Sequence, residues 1–208
     1  MKTILHLSAS PKLDDSRSRA AGERLCAALA EGRASRIVAR DAARLPCDAV
    51  NSSFISASLT PAEQRVDSQL QALTLSEQLI AELEAANALV ISTPLHNFAL
   101  PAALKLWLDL VIRPNRTFRG GPAGKVGLLQ NKPCFVIVAS GGPLASDPGW
   151  QEDFLSPYLR YALACMGLEE VSFLQLDNQS RGEPARQTSA QRAEQWIKQQ
   201  VDRFALPA

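Results

Sequence analysis

The sequence lacks the features that are typical of secreted, membrane-spanning or metal-binding proteins. Cysteine is scarce: there are four in 208 residues, with no Cys-x-x-Cys pair and no metal-like spacing to either of the two histidines. Scattered cysteines are typical of free thiols in a reducing compartment, so we expect a cytoplasmic protein without a metal site. No apolar stretch approaches the roughly 20 residues of a membrane span. The apolar run that follows Met1 is too short for a signal peptide.

An excess of charge of either sign is also missing. The 22 lysines and arginines nearly balance the 21 aspartates and glutamates, which gives a net charge of +1. This balance gives no bias towards nucleic acid or an anionic membrane, so neither is an expected partner. No Gly-x-Gly-x-x-Gly follows the first apolar run, and Gly124-Lys125 continues with Val126 rather than with Ser or Thr. A Rossmann-type nucleotide module and a P-loop enzyme are therefore disfavoured.

What the sequence does contain is a regular alternation of short apolar runs and amphipathic helical patterns. The runs that predict strands are Thr3–Leu7, Arg36–Ala39, Leu89–Ser92, Cys134–Val138 and Val171–Leu176. Strands that alternate with helices predict an α/β protein with a doubly wound, five-stranded parallel sheet and helices on both faces. No repeat or linker interrupts the pattern, so we expect a single domain over residues 1–208. Ligands of such sheets bind beyond the carboxyl ends of the strands.

The connections between the strands carry specific expectations. Thr60–Glu63 (Thr-Pro-Ala-Glu) has the pattern of an N-cap, a first-turn proline and a capping-box acid, and predicts one helix that ends near Ala86. The preceding segment Ala42–Leu59 is predicted to be irregular. Gly167 is predicted to close the helix before the fifth strand. The long segment Ile112–Gly127 has no predicted conformation.

The loop after the first strand is rich in groups that bind anions. It carries Ser10 and then Ser16, Arg17 and Ser18 at the start of a helix. The unpaired N–H groups and the dipole of a helix N-terminus favour an anion, and hydroxyls and a guanidinium add hydrogen bonds and charge. This pattern predicts a phosphate site. Ordinary N-capping is the alternative, because serine is a common cap.

The loops after the third and fourth strands could meet a flat ring. The first of them, Leu95–Phe98, offers an imidazole, an amide and an aromatic ring beside free backbone groups. The second, Ser140–Gly142, has consecutive glycines that let a ligand approach the backbone closely. Each also has a simpler interpretation: a tight turn with Phe98 packed in the core, and an ordinary glycine turn.

Together these segments resemble a known family, the FMN-dependent NADH-azoreductases, which are related to the NAD(P)H:quinone oxidoreductases. The resemblance extends over nearly the whole chain, and its most specific part combines Pro94–Phe98 (Pro-x-x-Asn-Phe) with Thr117–Arg119 (Thr-Phe-Arg). It implies a flavodoxin-like fold, bound FMN, and NADH or NADPH as co-substrate. It further implies ping-pong hydride transfer through the flavin to quinones or azo compounds. Family members are homodimers with the flavin sites at the interface.

The resemblance also implies roles for individual residues. The residues that match the family's phosphate and ribityl-chain site are Ser10, Ser16, Arg17 and Ser18. The residues that match its isoalloxazine-edge site are Leu95, His96, Asn97 and Phe98. The residues that match its site for the pyrimidine end of the ring are Ala139, Ser140, Gly141 and Gly142. Phe118 matches the residue that covers the ring or the substrate.

Two positions depart from the family pattern. His96 stands where a tyrosine or another aromatic is common, and Ala139–Ser140 replaces a more frequent Ser-Arg pair, which removes a charge near the pocket. Imidazole can give up a proton near neutral pH, so His96 is a candidate proton donor to the acceptor; the alternative is that it forms a flat wall of the pocket. No other acid–base pair stands out, because Lys105 and Asp109 lie one helical turn apart and match a solvated ion pair.

The alternative to an enzyme is an electron-carrier protein. A non-enzymatic, flavodoxin-type FMN electron carrier binds the same cofactor, and usually has a Thr-rich phosphate loop and a strongly acidic surface. The balanced charge of this chain and its long segment Ile112–Gly127 favour the enzyme over the carrier.

Overall fold

The computed structural model describes residues 1–12, 14–122, 124–144 and 151–205. The strands of these residues are β1 (Lys2–Ser8), β2 (Ser35–Asp41), β3 (Ala88–Pro94), β4 (Phe118–Gly121), β5 (Gly124–Gly127), β6 (Cys134–Ala139) and β7 (Val171–Leu176). Five of them form one parallel sheet in the order β2-β1-β3-β6-β7, and β4 and β5 form a separate antiparallel hairpin. With the hairpin left out, this is the 2-1-3-4-5 order of flavodoxin-like sheets. The predicted fold class is confirmed.

Helices cover both faces of the main sheet. They are α1 (Arg17–Ala30), α2 (Ser52–Leu59), α3 (Asp67–Ala72), α4 (Thr74–Ala85), α5 (Ala102–Val111), α6 (Leu155–Cys165) and α7 (Glu183–Ala205). Successive side chains of a strand point to opposite faces. In β1, Leu5 and Leu7 therefore join a core shared with α4, α5 and α6, whereas Ile4 joins a core shared with α1 and α7. Of the described helices, none has both the length and the apolar content to traverse a bilayer.

The five predicted strands are confirmed to within two residues at each end. The predicted helix end at Gly167 is confirmed as well. Gly167 has a φ of 97°, its N–H donates to the carbonyl of Ala164, and the N–H of Leu168 donates to the carbonyl of Leu163. These two bonds make a Schellman motif, which satisfies the last carbonyls of α6.

The predicted continuous helix from Thr60 to Ala86 is wrong. Thr60 and Pro61 are both extended, with ψ of 131° and 141°. An extended Thr60 would suit an N-cap, but a proline in the first helical position has to be helical, and the ψ of Pro61 shows that no helix begins here. Thr60 is not an N-cap either, because its hydroxyl donates back to the carbonyl of Ser56. Only a 3₁₀ turn, Ala62–Gln64, follows, and the helical residues after it are divided between α3 and α4.

The prediction that Ala42–Leu59 is irregular is also wrong. The segment contains a 3₁₀ turn, Ala42–Arg44, and the helix α2. This helix is short and rich in serine, so its apolar periodicity is weak. Asn51 nevertheless caps it by accepting the N–H of Phe54 at 3.0 Å. Phe54 and Ala57 are buried in the core with α4 and α5, and their burial holds α2 in place.

The segment Ile112–Gly127 folds as the β4–β5 hairpin, with Ala123 outside the described residues, and arginine–glutamate pairs anchor its base. Nη1 of the fully buried Arg113 lies 2.6 Å from Oε1 of Glu77, near the start of α4. Arg116 contacts the same carboxylate at 2.9 Å and Glu84, near the end of α4, at 2.6 Å. The base of the hairpin is therefore fixed along the length of α4.

The hairpin lies towards the amino ends of the main strands. Gly127, at the end of β5, packs so closely on Gly167 that a Cβ on Gly127 would come within 2.1 Å of the Gly167 nitrogen. Gly167 closes α6 shortly before Val171 begins β7. Phe118 pairs with Gly127 across the hairpin, so Phe118 lies at this same end.

Helix α1 comes closest to the sheet at Gly22. A Cβ at this position would lie 2.5 Å from Nε2 of His6 and 3.0 Å from Cβ of Ser92, so the close approach requires glycine. His6 is buried on β1, and its Nε2 shares a hydrogen bond of 2.8 Å with Oγ of Ser92 on β3. Burial, and then the charge of Arg19, lower the pKa of His6 from 6.5 to about 4. The imidazole is therefore neutral in the folded protein at neutral pH.

A buried neutral histidine makes stability fall in weakly acid solution. Because the pKa of His6 is about 4 in the folded protein against 6.5 for an exposed histidine, the unfolded chain binds a proton in this window that the folded protein does not. The contribution of the neutral His6 to the stability is complete above the unfolded-state pKa of 6.5 and is lost progressively as the pH falls below it. We expect urea unfolding to show a loss of about 2 kcal/mol between about pH 7.5 and pH 5. His6→Gln should give a flatter profile, and equally steep profiles in both proteins would contradict this.

Candidate functional site

A cleft of about 230 Å³ opens at the carboxyl edge of the main sheet. The loops after β1, β3, β6 and β7 form its walls, and the strand order reverses between β1 and β3 at this point. Doubly wound sheets bind their ligands in such a crevice. The residues predicted from the sequence that line the cleft are Ser10, Ser16, Arg17, Ser18, Leu95, His96, Ala139, Ser140 and Gly141.

Asn97 and Phe98 form the tip of a tight turn and do not line the cleft. Hydrogen bonds in both directions between His96 and Ala99, at 2.9 and 3.0 Å, close the turn. The tip residues have φ of 45° and 70°, a conformation that is uncommon for phenylalanine. The tight-turn interpretation is confirmed, but Phe98 is 58% exposed and not packed in the core. An exposed aromatic ring on a strained backbone is a feature of binding sites.

Gly142 and Phe118 also lie outside the lining. Gly142 supports the wall from behind, since its carbonyl accepts the Ser140 hydroxyl at 2.7 Å and the Asn178 N–H at 3.3 Å. Phe118 is on the hairpin, at the edge of the sheet opposite to the cleft. Nζ of Lys125 lies 4.5 Å from the centroid of its ring. Within one chain, Phe118 therefore does not reach the cleft.

The start of α1 forms one end of the cleft. Oγ of Ser16 accepts the N–H of Arg19 at 3.3 Å and lies 3.3 Å from Oγ of Ser18, so serine capping is confirmed. Both serines are buried. The N–H groups of Arg17 and Ser18 belong to the first helical turn, where helix geometry offers no acceptor within the helix. This end of the cleft therefore presents donors to an anion.

Arg19 fixes the loop that precedes α1. Its Nη2 donates to the carbonyl of Ser10 at 3.1 Å and to Oδ2 of Asp41 at 3.0 Å. Asp41 ends β2 and accepts the N–H of Ala43 at 3.0 Å with its other oxygen. The Arg19 and Asp41 side chains are only 18% and 16% exposed, so water competes little for the pair. Loop, helix and strand are thereby tied together before any ligand arrives.

The loop after β7 supports the other end of the cleft. The N–H groups of Gln179 and Ser180 donate to the carbonyls of Ser140 and Gly141, each at 3.0 Å. The carbonyls of the turn after β6 are thus engaged from behind. The N–H of Ser140 donates to the carbonyl of Leu176 at 3.0 Å, so among the described residues the turn is left to meet a ligand with the N–H groups of Gly141 and Gly142. These donors suit a ligand that carries acceptors.

Sequence reasoning missed part of this site. Gln179 and Ser180 line the cleft because β7 ends at the same edge as β1, β3 and β6, and the strand prediction at Val171–Leu176 already carried that signal. Arg19 was missed in favour of Arg17, whose side chain is 57% exposed and lies 3.8 Å from Asp15 in a loose surface pair. The other lining residues that the sequence did not single out are Pro11, Lys12, Asp15 and Pro94.

The residues around the cleft fit FMN. Buried hydroxyls and helix N–H groups at one end suit a phosphate, and the backbone donors at the other end suit the carbonyl groups of a flavin ring. In the part of the chain that the structure describes, no group of three or more His, Cys, Asp or Glu side chains could hold a metal ion. Lys105 and Asp109 form the predicted exposed pair, with Nζ 2.5 Å from Oδ1.

Comparison with known proteins agrees with the fold and the cleft. A family model described as a flavodoxin-like fold matches residues 2–201. The chain is 45% identical over 184 residues to FMN-dependent NADH:quinone oxidoreductase 2 of Cupriavidus pinatubonensis, an alignment that covers 88% of this chain and 89% of the relative. It is 40% identical over 186 residues to FMN-dependent NADH:quinone oxidoreductase 4 of Pseudomonas fluorescens, with 89% and 88% covered. The chain belongs to the flavodoxin-like family and, within it, to the family of these quinone oxidoreductases.

Solved structures share the fold. The FMN-dependent NADH-azoreductase of Bacillus anthracis, in complex with FMN, matches with a TM-score of 0.85 over 99% of this chain and 100% of its own, at 23% identity. A Bacillus anthracis azoreductase matches with a TM-score of 0.86 over 98% and 100%, at 18% identity. At such identities the likeness concerns the fold alone.

Proposed function

We propose that this protein is a single-domain, cytoplasmic, FMN-dependent oxidoreductase that passes electrons from NADH to quinones and azo compounds. The observation that carries the proposal is the cleft itself, which joins an anion-binding helix start to a turn with backbone donors. The names of the relatives support FMN, NADH and quinones, and the name of a structural neighbour supports azo compounds. Four free cysteines, of which Cys47 is exposed, support a reducing compartment.

The protein's own task is to bind and orient the flavin, and to shield it from water. The residues proposed to hold the phosphate and the ribityl chain are Ser10, Ser16, Arg17 and Ser18. The residues proposed to meet the ring from the lining of the cleft are Leu95, His96, Ala139, Ser140 and Gly141. Asn97 and Phe98, at the tip of the turn, are proposed to meet it from the rim, and Gly142 is proposed to support the turn. FMN supplies the two-electron chemistry when it is bound. No acid–base pair in the protein is needed for that chemistry.

NADH and the electron acceptor are proposed to use the same open side of the cleft in turn, which is a ping-pong order. The turn Leu95–Phe98 borders this side. Its exposed Phe98 ring offers a flat apolar surface against which a nicotinamide or a quinone could stack. A shared side requires the first product to leave before the acceptor enters.

Steady-state oxidation of NADH with menadione distinguishes the enzyme from an FMN electron carrier. We expect many turnovers of NADH per protein molecule when FMN is present, and none after FMN has been removed. Re-addition of FMN should restore the rate. A protein that binds FMN but consumes no NADH beyond one equivalent would be a carrier, and the proposed activity would be wrong.

We further propose a homodimer in which each chain completes the cleft of its partner. Phe118 is predicted to cover the ring or the substrate, yet it lies at the opposite edge of its own sheet, so it can serve only the cleft of a second copy. The exposed apolar side chains that such an interface could bury are Ile55, Leu59, Val66, Leu70, Val126, Leu128, Phe154, Tyr158 and Tyr161.

Light scattering should give twice the chain mass, and an active, flavin-loaded monomer would contradict the proposal.

His96 is proposed to form a flat wall of the cleft, with proton donation to the acceptor as the alternative. His96 lines the cleft, and its backbone is held by two hydrogen bonds to Ala99. Family members with another aromatic residue here imply that turnover does not depend on a histidine. The turn therefore sets the backbone position from which an aromatic side chain at residue 96 extends, whether that side chain is histidine or another ring.

His96→Phe separates the two roles, because phenylalanine keeps a flat ring and removes the proton. The rate of flavin reduction by NADH should survive in either case and serves as the internal control. For a wall, the rate of reoxidation by quinone should also be unchanged over about pH 5.5 to 8.5. A rate that falls by ~10²-fold and loses its pH dependence would instead identify His96 as the proton donor.

A further inference from the structure

We propose that the loop after β7, residues 177–182, is a fourth wall of the flavin site, and that the Ser180 hydroxyl donates a hydrogen bond to the pyrimidine end of FMN. This bond would help to set the reduction potential of the flavin. The inference rests on the proposed function, because it requires FMN in the cleft. It adds a residue that neither the sequence motifs nor the family resemblance singled out.

Ser180 lies directly against the turn that is proposed to meet the pyrimidine ring. A Cβ on Gly141 would come within 2.9 Å of Oγ of Ser180. The N–H of Ser180 donates to the carbonyl of Gly141 at 3.0 Å, and both residues line the cleft. A ligand that contacts Gly141 is therefore within reach of the hydroxyl.

The loop around Ser180 is held in one conformation. The N–H groups of Asn178, Gln179 and Ser180 all donate to carbonyls of the turn after β6. Nε2 of Gln179 donates to the carbonyl of Asp177 at 3.0 Å and to Oγ of Ser189 at 3.1 Å. Ser189 is buried on α7, so this contact fastens the loop to a helix. A donor that is positioned before the ligand binds needs no reorganisation to act.

In the described parts of the loops after β6 and β7, the other side-chain donors that line the cleft are already engaged. The hydroxyl of Ser140, which stands where the family commonly has an arginine, donates to the carbonyl of Gly142 at 2.7 Å. The amide nitrogen of Gln179 is held by its two acceptors. Among the described residues of the loops after β6 and β7 that line the cleft, Ser180 therefore supplies the side-chain donor. The reduced ring is richer in electrons than the oxidised ring, so a donor here favours the reduced form.

The test compares the reduction potential of FMN bound to the wild type, Ser180→Ala and Ser180→Thr, measured by equilibration with a redox dye. In Ser180→Ala we expect the affinity for reduced FMN to fall about tenfold relative to that for oxidised FMN. For a two-electron couple this lowers the potential by about 30 mV. Ser180→Thr keeps a hydroxyl and should keep the wild-type potential. Ser172→Ala, near the amino end of the same strand, is the matched control and should change nothing.

An unchanged potential in Ser180→Ala would overturn the inference. Equal shifts in Ser180→Ala and Ser180→Thr would overturn it too, because the shape of the side chain and not its hydroxyl would then matter. A wild type that binds FMN and oxidises NADH with menadione, but whose potential does not respond to Ser180, would contradict this inference without touching the proposed function. A wild type that binds no FMN would contradict both.

Discussion

The candidate site depends on how closely α1 packs on the sheet. Gly22 allows the helix to rest against His6 and Ser92, where any other side chain would collide with the imidazole. This close packing holds the N-terminus of α1 at the carboxyl edge of β1 and β3. The field of a helix terminus weakens within a turn, so an anion site made from it needs such placement. Arg19 then fixes the loop in front of the helix through Asp41.

The two ends of the cleft work on the same principle. Of the two arginines at the start of α1, Arg19 has its charge engaged by Asp41, so Arg17, which lines the cleft, is the one proposed to add charge at the phosphate end. Both ends offer N–H groups and hydroxyls that the fold has already positioned. Such donors favour a phosphate at one end and an electron-rich ring at the other. The apolar cover of the ring is then left to Phe98 and, across the proposed interface, to Phe118 of a second copy.

Local sequence patterns predicted much of the fold. About two thirds of the residues predicted for the site line the cleft. Buried parallel strands leave continuous apolar runs, and a glycine with positive φ closes α6 as its position predicts. What escaped prediction depends on contacts between distant residues. Arg19 holds the loop through a carboxylate 22 positions away, and Ser180 reaches the cleft only because β7 lies beside β6. The base of the hairpin lies at the edge opposite to the cleft, where Gly127 packs on Gly167 and Arg113 pairs with Glu77, 36 positions earlier. No local pattern encodes contacts over such distances.

Affinities for FMN and riboflavin, measured side by side, test most directly whether the start of α1 is a phosphate site. Riboflavin keeps the ring and the ribityl chain but lacks the phosphate, so the wild type should bind FMN much more tightly. Replacing Arg17 and Ser18 together by alanine should weaken the binding of FMN by roughly 2–4 kcal/mol and leave that of riboflavin nearly unchanged. Equal losses for the two ligands would contradict a phosphate site and leave the start of α1 as a structural cap.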